Sequence, residues 1–239
     1  MMRLDRYLCE TAGLTRSQAG KAVRAGRVTV NAIAVRKPDQ KLDEQADRVT
    51  LDGSVCVYRR HRYYLLDKPT GVLTATEDRT QPTVLDLLPA EIRRQGLFPV
   101  GRLDKDTSGL LLLTDDGDFA HRVISPKSGI KKVYLAQVEG KLTQDDVCAF
   151  ANGLVLRDGL RCLPAELEII NPSLARITVQ EGKYHQVRRM LAACGKTVLT
   201  LRRISIGGLC LDSDTKAGHF RKLTENDLCI LFNGSLLEK

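Results

Sequence analysis

The sequence predicts an α+β chain in two parts, a small N-terminal module over residues 1–60 and a larger domain over residues 61–239 with a largely antiparallel or mixed sheet flanked by helices. Three observations carry this. Charge is lopsided: of the formal net +8, residues 1–62 hold +6, with 13 Lys and Arg against 7 Asp and Glu. Short strands with period-two alternation recur in the larger part, as at Ala175, Ile177 and Val179 against Arg176, Thr178 and Gln180. Helical stripes are short and few, as at Val187, Met190, Leu191 and Cys194, which Gly195 closes. At 239 residues with 43% apolar composition, the chain is long enough to bury a core without staples.

In the first part, Leu4, Tyr7 and Leu8 recur at helical spacing, and Thr15 with Gln18 predicts a capping box that starts a second helix. Gly26 ends it. On that helix Ala19, Ala22 and Val23 form the packing stripe, and Ser17, Lys21 and Arg24 the opposite face. Val28-Thr29-Val30 and Ile33-Ala34-Val35, separated by Asn31-Ala32, read as a hairpin with Arg27, Arg36 and Lys37 at its edges. Arg59-Arg60-His61-Arg62 reads as the join. Beyond it, Tyr63 to Leu66 predicts a strand, Lys68-Pro69-Thr70-Gly71 its closing turn, Leu110 to Leu113 and Val133 to Val138 further strands, and Phe119 to Ile124 a short helix before Pro126.

Several classes of chemistry are excluded. The seven Cys contain no CxxC spacing, which fits neither a disulfide framework nor a zinc ribbon and points to a reducing cytoplasm. The N-terminus meets charge at once and no apolar run approaches the length of a membrane span, so neither export nor a membrane partner is expected. Gly195-Lys196-Thr197 resembles the end of a phosphate loop, but the first glycine of that motif falls on Met190. The four His are scattered, so no metal site is expected.

Three segments of the larger part remain as candidates. Phe98-Pro99-Val100-Gly101-Arg102-Leu103-Asp104-Lys105-Asp106-Thr107-Ser108-Gly109 places an acid on a loop between strands. Lys131-Lys132-Val133-Tyr134 carries a lone aromatic. Glu181-Gly182-Lys183-Tyr184-His185-Gln186-Val187-Arg188-Arg189-Met190 opens a helix with basic residues off its apolar stripe. Each alone reads first as a surface turn, a core tyrosine or solvated charge. Together, and with Leu201-x-Arg203-Ile204-x-Ile206-Gly207-Gly208-Leu209, they resemble in order and spacing the RsuA family of ribosomal RNA pseudouridine synthases. The first quarter of the chain, Arg3-Leu4-Asp5-Arg6-Tyr7-Leu8 with Arg16-Ser17-Gln18-Ala19 and Gly26 to Asn31, resembles the S4 RNA-binding domain that this family carries. Ala32 stands where that domain usually has Gly.

The resemblance implies an S4-like domain followed by a pseudouridine synthase domain that isomerises one uridine of ribosomal RNA. Ser125-Pro126, Tyr184-His185-Gln186 and Leu211-Asp212 look most like the small-subunit branch, which modifies uridine 516 of 16S rRNA. The implied catalytic residues are Asp104, as the nucleophile toward C1′ of the ribose or C6 of the base, Tyr134 against the uracil ring, and Arg188 as the guanidinium partner of Asp104. Arg3, Arg6, Arg16, Ser17, Lys21, Arg24 and Arg27 are expected to grip phosphates, and Arg102, Lys183, His185, Gln186 and Arg189 to touch RNA near the site. Lys132 and Lys183 depart from what relatives commonly carry, and both are expected to concern RNA contacts. No metal and no cofactor is implied. The expected form is a cytoplasmic monomer whose partner is rRNA, naked or within an assembling small subunit. A non-enzymatic S4-containing ribosome-associated factor, a synthase acting on large-subunit rRNA and a base-releasing glycosylase remain the rival readings.

Overall fold

The computed structural model describes residues 1–44, 46–58, 61–93, 96–212 and 216–232. It divides into two compact units, Met1–Arg60 and His61–Lys239. Arg59 and Arg60 of the expected join lie outside the described residues.

In the first unit, β1 (Met2–Arg3) pairs with β4 (Lys41–Leu42), and α1 (Leu4–Ala12) packs beside α2 (Arg16–Arg24). A four-stranded antiparallel sheet runs β3 (Ile33–Ala34), β2 (Val28–Val30), β5 (Val49–Leu51), β6 (Ser54–Cys56). The capping box at Thr15 and Gln18 is formed, and α2 buries Ala19, Gly20, Ala22 and Val23 while Ser17, Lys21 and Arg24 stay exposed. Leu4, Tyr7, Leu8 and Val23 meet Val28, Val49 and Leu42 in one core. The hairpin turn puts Asn31 and Ala32 both at positive φ, 51° and 67°, the conformation of a two-residue turn matched to strand twist. Asn tolerates this region. Alanine does not favour it, because its Cβ crowds the following carbonyl.

The second unit holds one mixed sheet. Its path is β11 (Glu166–Asn171), β12 (Leu174–Val179), β10 (Lys132–Glu139), β13 (Thr197–Ile206), β9 (Thr107–Thr114), β7 (Tyr63–Lys68), β15 (Phe220–Lys222), with β8 (Phe98–Pro99) on β9 and β14 (Leu209–Cys210) on β13. Along this path every pair is antiparallel except β9 with β13. Helices α3 (Ala90–Arg93), α4 (Gly117–Ile124), α5 (Gln144–Asn152), α6 (Gln186–Ala193) and α7 (Glu225–Leu231) complete it. The run Leu110 to Leu113 is fully buried, and successive side chains go to opposite faces: Leu110 and Leu112 to one core, Leu111 and Leu113 to another. A continuous apolar run is the mark of a strand covered on both sides. Gly207, part of a close-packed turn, lies so near the end of α7 that a Cβ there would stand 2.0 Å from the Leu231 carbonyl oxygen.

Ala32→Gly should stabilise the first unit by about 0.5–1 kcal/mol, the strain relieved less the entropy that glycine loses on folding. Chemical denaturation of the two chains checks it, with an unchanged or lower midpoint counting against a strained turn.

Candidate active site

Asp104 sits on the loop 101–106 between β8 and β9, and this loop turns its carbonyls inward onto a buried ammonium. Lys68, wholly buried at the end of β7, donates from Nζ to the carbonyls of Thr107 at 2.9 Å, Pro69 at 3.0 Å, Asp104 at 3.1 Å and Lys105 at 3.4 Å. Thr74 donates from Oγ1 to the Leu103 carbonyl at 2.6 Å and accepts from the Leu103 amide, and the Gly71 amide donates to the Lys105 carbonyl at 2.8 Å. Burial pulls the Lys68 ammonium down to about 8, with Asp104 and Asp106 opposing that fall. The backbone of Asp104 is thereby anchored from below. Its carboxylate, 26% exposed, opens into a cavity of about 110 Å³ lined by Arg102, Thr107, Lys132, Tyr134, Glu181, Lys183, His185, Gln186 and Arg203 among others.

Tyr134 reaches this cavity from β10, half-buried beside Arg203, whose guanidinium carbon lies 6.0 Å from the ring centroid. His185 takes the left-handed conformation at the start of α6, φ 47°, and directs Nε2 to within 3.3 Å of Asp104 Oδ1. Its ring stacks on the exposed Tyr184 at 3.9 Å between centroids.

The expected pairing of Arg188 with Asp104 is not what the structure contains. Arg188 Nη2 lies 2.9 Å from Asp106 Oδ2 and donates to the Asp106 carbonyl at 3.2 Å. Two residues beyond Asp104 the loop has turned back over α6, so the guanidinium meets the second acid of Asp104-Lys105-Asp106 and not the first. Two expected RNA contacts are likewise turned inward. Gln186 is buried, accepting from the Lys183 amide and donating to Glu181 Oε1 at 2.8 Å. Lys183 Nζ is held by Glu181 Oε2 at 3.0 Å and by the Arg161 carbonyl. The buried Glu181, which also accepts from the Leu163 amide at 2.9 Å, needs both partners. Arg189 pairs with Asp158, and Arg102 is exposed at the cavity rim.

In the first unit Arg3 and Arg16 flank Asp5 at 2.8 and 3.6 Å, Arg6 binds Glu10 at 2.8 Å, and Arg27 forms a two-bonded pair with Asp52. Lys21 and Arg24 are exposed without an ion-pair partner among the described residues.

Comparison with known proteins shows the family. The RNA pseudouridylate synthase pattern matches residues 62–193 and the S4 domain pattern residues 2–49. Ribosomal small subunit pseudouridine synthase A of Escherichia coli K12 is 41% identical over 229 residues, covering 95% of this chain and 98% of the relative. The chain belongs to the RsuA family of RNA pseudouridine synthases. An uncharacterised RNA pseudouridine synthase of Bacillus subtilis is 39% identical over 234 residues, covering 96% and 98% of the two chains. A crystal structure of a pseudouridylate synthase matches with a TM-score of 0.68 at 36% identity, covering 97% of this chain and all of the other.

Two residues that surround the Asp104 loop and cavity, Lys68 and Arg203, escape sequence reasoning, and Lys132 is legible there only as an RNA contact. Lys68 was read as part of a turn, whereas β7 runs through it. Lys132 shares the face of Tyr134 two positions on, a signal that strand alternation offers. Arg203 stood only as one letter of a motif, since nothing local shows that β13 brings it beside β10.

Alkaline pH should separate loop order from global stability. The folded pKa of Lys68 lies near 8 and its free value near 10.5, so the unfolded chain binds more protons between these limits, and this group adds stability as pH rises through them. A neutral amine, however, has only two hydrogens for four carbonyls. Turnover should fall above about pH 8 while the denaturation midpoint does not fall in step, and Lys68→Met should lower both at all pH values. Parallel rate and melting profiles check this.

Proposed function

We propose that this synthase isomerises one uridine of small-subunit ribosomal RNA, uridine 516 of 16S rRNA, acting as a cytoplasmic monomer on naked RNA or an assembling subunit. The observation that carries the reaction is the Asp104 carboxylate, anchored through its backbone and open to a cavity that Tyr134 also lines. The names of the similar small-subunit enzymes support the choice of RNA.

The target nucleotide leaves its stack, at a cost of a few kcal/mol that is smallest in loops. An Asp104 oxygen then either bonds to C1′ of the ribose, the C1′–N1 bond breaking with its electron pair leaving on the ring, or adds to C6 of the base, after which the C1′–N1 bond breaks. The uracil turns, C5 bonds to C1′, the carboxylate is released, and the proton on C5 is lost while N1 takes one up. Tyr134 lies against the ring and takes part in that proton loss. Arg188 is a positioning residue: by gripping the carboxylate and carbonyl of Asp106 it fixes the far side of the loop that carries Asp104. Arg102 at the rim fills the gap left by the flipped base or holds a flanking phosphate. His185 must yield its contact with Asp104 when the ribose enters, and then faces the RNA.

Mapping pseudouridines in rRNA from cells with and without this chain tests the substrate. The modification at position 516 should vanish without it, return with the wild-type protein, and not return with Asp104→Asn, whose single-turnover rate should fall by roughly 10³-fold or more. An intact position 516 with loss at a large-subunit site would overturn the choice of RNA. Near-native turnover by the Asn variant, with reversion to Asp excluded by mass spectrometry, would overturn the nucleophile.

The first unit serves as the phosphate grip, centred on Ser17, Lys21 and Arg24, because Arg3, Arg6, Arg16 and Arg27 already answer carboxylates within the unit. Lys21→Ala with Arg24→Ala should reduce the slope of log affinity against log salt by roughly 1.4 to 1.8, two contacts at 0.7 to 0.9 each. Filter binding across a salt series measures it. An unchanged slope would assign this face to something other than RNA.

A further inference from the structure

Two cations that line the Asp104 cavity each keep a buried nitrogen without a hydrogen-bond partner among the described residues. Lys132 opens β10, and strand alternation puts it on the same face as Tyr134; the register that sets Tyr134 opposite Arg203 brings the guanidinium alongside. Both side chains line the cavity. Lys132 is 7% and Arg203 5% exposed, yet Lys132 Nζ and Arg203 Nη2 have no hydrogen-bond partner among the described residues. The rest of the guanidinium is held, Nε donating to the Leu110 carbonyl at 2.7 Å and Nη1 reaching the Tyr134 hydroxyl at 3.5 Å. Its plane is set, and one nitrogen is left over.

Buried cations without partners are costly, and native chains rarely keep them without use. Burial pulls the Lys132 ammonium down to about 8, and the neighbouring Arg203 charge adds to the fall. The missing partner is therefore an anion, or an atom that becomes one. Structural neutralisation is not its source, since neither group forms an ion pair among the described residues. Depth favours an oxygen of the base over a phosphate, because a phosphate keeps much of its hydration and meets Arg102 at the rim first.

We propose that Lys132 Nζ and Arg203 Nη2 bind the uracil carbonyl oxygen that gains negative charge during the reaction, and so act as catalytic residues. The inference rests on the reading of Asp104 as the nucleophile. If Asp104 attacks C1′, a carboxylate lone pair makes the new C–O bond while the C1′–N1 pair departs with the ring, so one negative charge passes from the carboxylate to a uracil anion. If it adds to C6, the C5=C6 pair moves toward the C4 carbonyl, and the same charge lies on O4 as an enolate. Either route delivers charge to a ring oxygen, and its later return to Asp104 restores the carboxylate. Two desolvated donors aimed at the place where charge develops stabilise that state more than the neutral base.

Barbiturate, an acidic pyrimidine that is anionic at neutral pH, serves as the probe of a charged ring, with uracil as its neutral control and inorganic phosphate as competitor. The wild-type protein should bind barbiturate more tightly than uracil, phosphate should not displace it, and Lys132→Met should erase the preference. The same substitution should lower the single-turnover rate on a small-subunit rRNA fragment by roughly 10²- to 10³-fold with RNA affinity nearly unchanged. Its melting temperature should hold or rise, since an unpaired buried charge has been removed, whereas a merely structural lysine would lower it. Lys132→Arg should recover part of the rate. Absence of a barbiturate preference in the wild-type protein, or displacement by phosphate, overturns the assignment even if the variant fails to fold. A wild-type rate in a folded Lys132→Met does so as well. Asp104→Asn run in parallel separates the two ideas: activity in that variant sinks the nucleophile, while barbiturate preference continues to report on Lys132 and Arg203.

Discussion

One buried ammonium organises the loop that carries Asp104. A chain that reverses as sharply as 101–107 cannot avoid turning several carbonyls toward the interior, and carbonyls left unpaired there are expensive. Lys68, on β7, the strand antiparallel to β9, resolves the conflict by meeting three of them, those of Asp104, Lys105 and Thr107, together with the carbonyl of its neighbour Pro69. Hydrogen bonds from a charged donor contribute about 1.5–3 kcal/mol each where well formed, so the loop is fixed through its backbone. Asp104 is then free to present its carboxylate to the cavity without using it for folding. Arg188 closes the same loop from α6 through Asp106, so the guanidinium leaves the Asp104 carboxylate to the cavity.

The second constraint is the parallel pairing of β9 with β13 at the centre of an otherwise antiparallel path. Where the two strands meet, Gly109 has φ +107°, and a Cβ there would lie 2.1 Å from the Arg203 carbonyl oxygen. No other residue permits that approach. Its consequence is functional, since the approach sets Arg203 between the strand that carries Tyr134 and the start of the strand that follows Asp104. A buried clamp secures the junction: the fully buried Asp67 on β7 takes two bonds from Arg202 on β13, at 3.0 and 2.7 Å, across the intervening β9. Loss of Arg202 would leave the Asp67 carboxylate buried alone, the situation that typically costs about 3–5 kcal/mol.

Much of this was legible in local sequence, and the remainder was not for a physical reason. The capping box at Thr15, the alternation at Ala175 to Val179, the leucine run of β9 and the stripe of α6 depend on neighbours within a few residues, and each formed as read. Asp104 and Tyr134 were recognisable because motif spacing preserves them. Their surroundings depend on pairings between residues far apart in the chain. Lys68 reaches Asp104 over 36 positions, and Arg203 reaches Tyr134 over 69. Lys183 and Gln186, which the resemblance implies as RNA contacts, line the cavity, and the Glu181 carboxylate, whose burial local sequence does not show, holds them both. Helices α5 and α7, whose capping boxes at Thr143 and Thr224 are formed, went unread because their apolar stripes are short.

Cations in the two units face different solvents, and this divides their labour. Lys21 and Arg24 stand in water, where attraction to a phosphate is screened beyond about 8–10 Å at ordinary ionic strength and arises largely from released counterions. Lys132 and Arg203 are shielded from that atmosphere. Their field acts at short range in a medium of lower dielectric, where salt does little. Binding of RNA and conversion of the bound uridine thus draw on electrostatics of different kinds. The desolvation that makes the inner pair strong also leaves two of its nitrogens without a partner among the described residues, a charge arrangement that the proposed uracil anion would relieve.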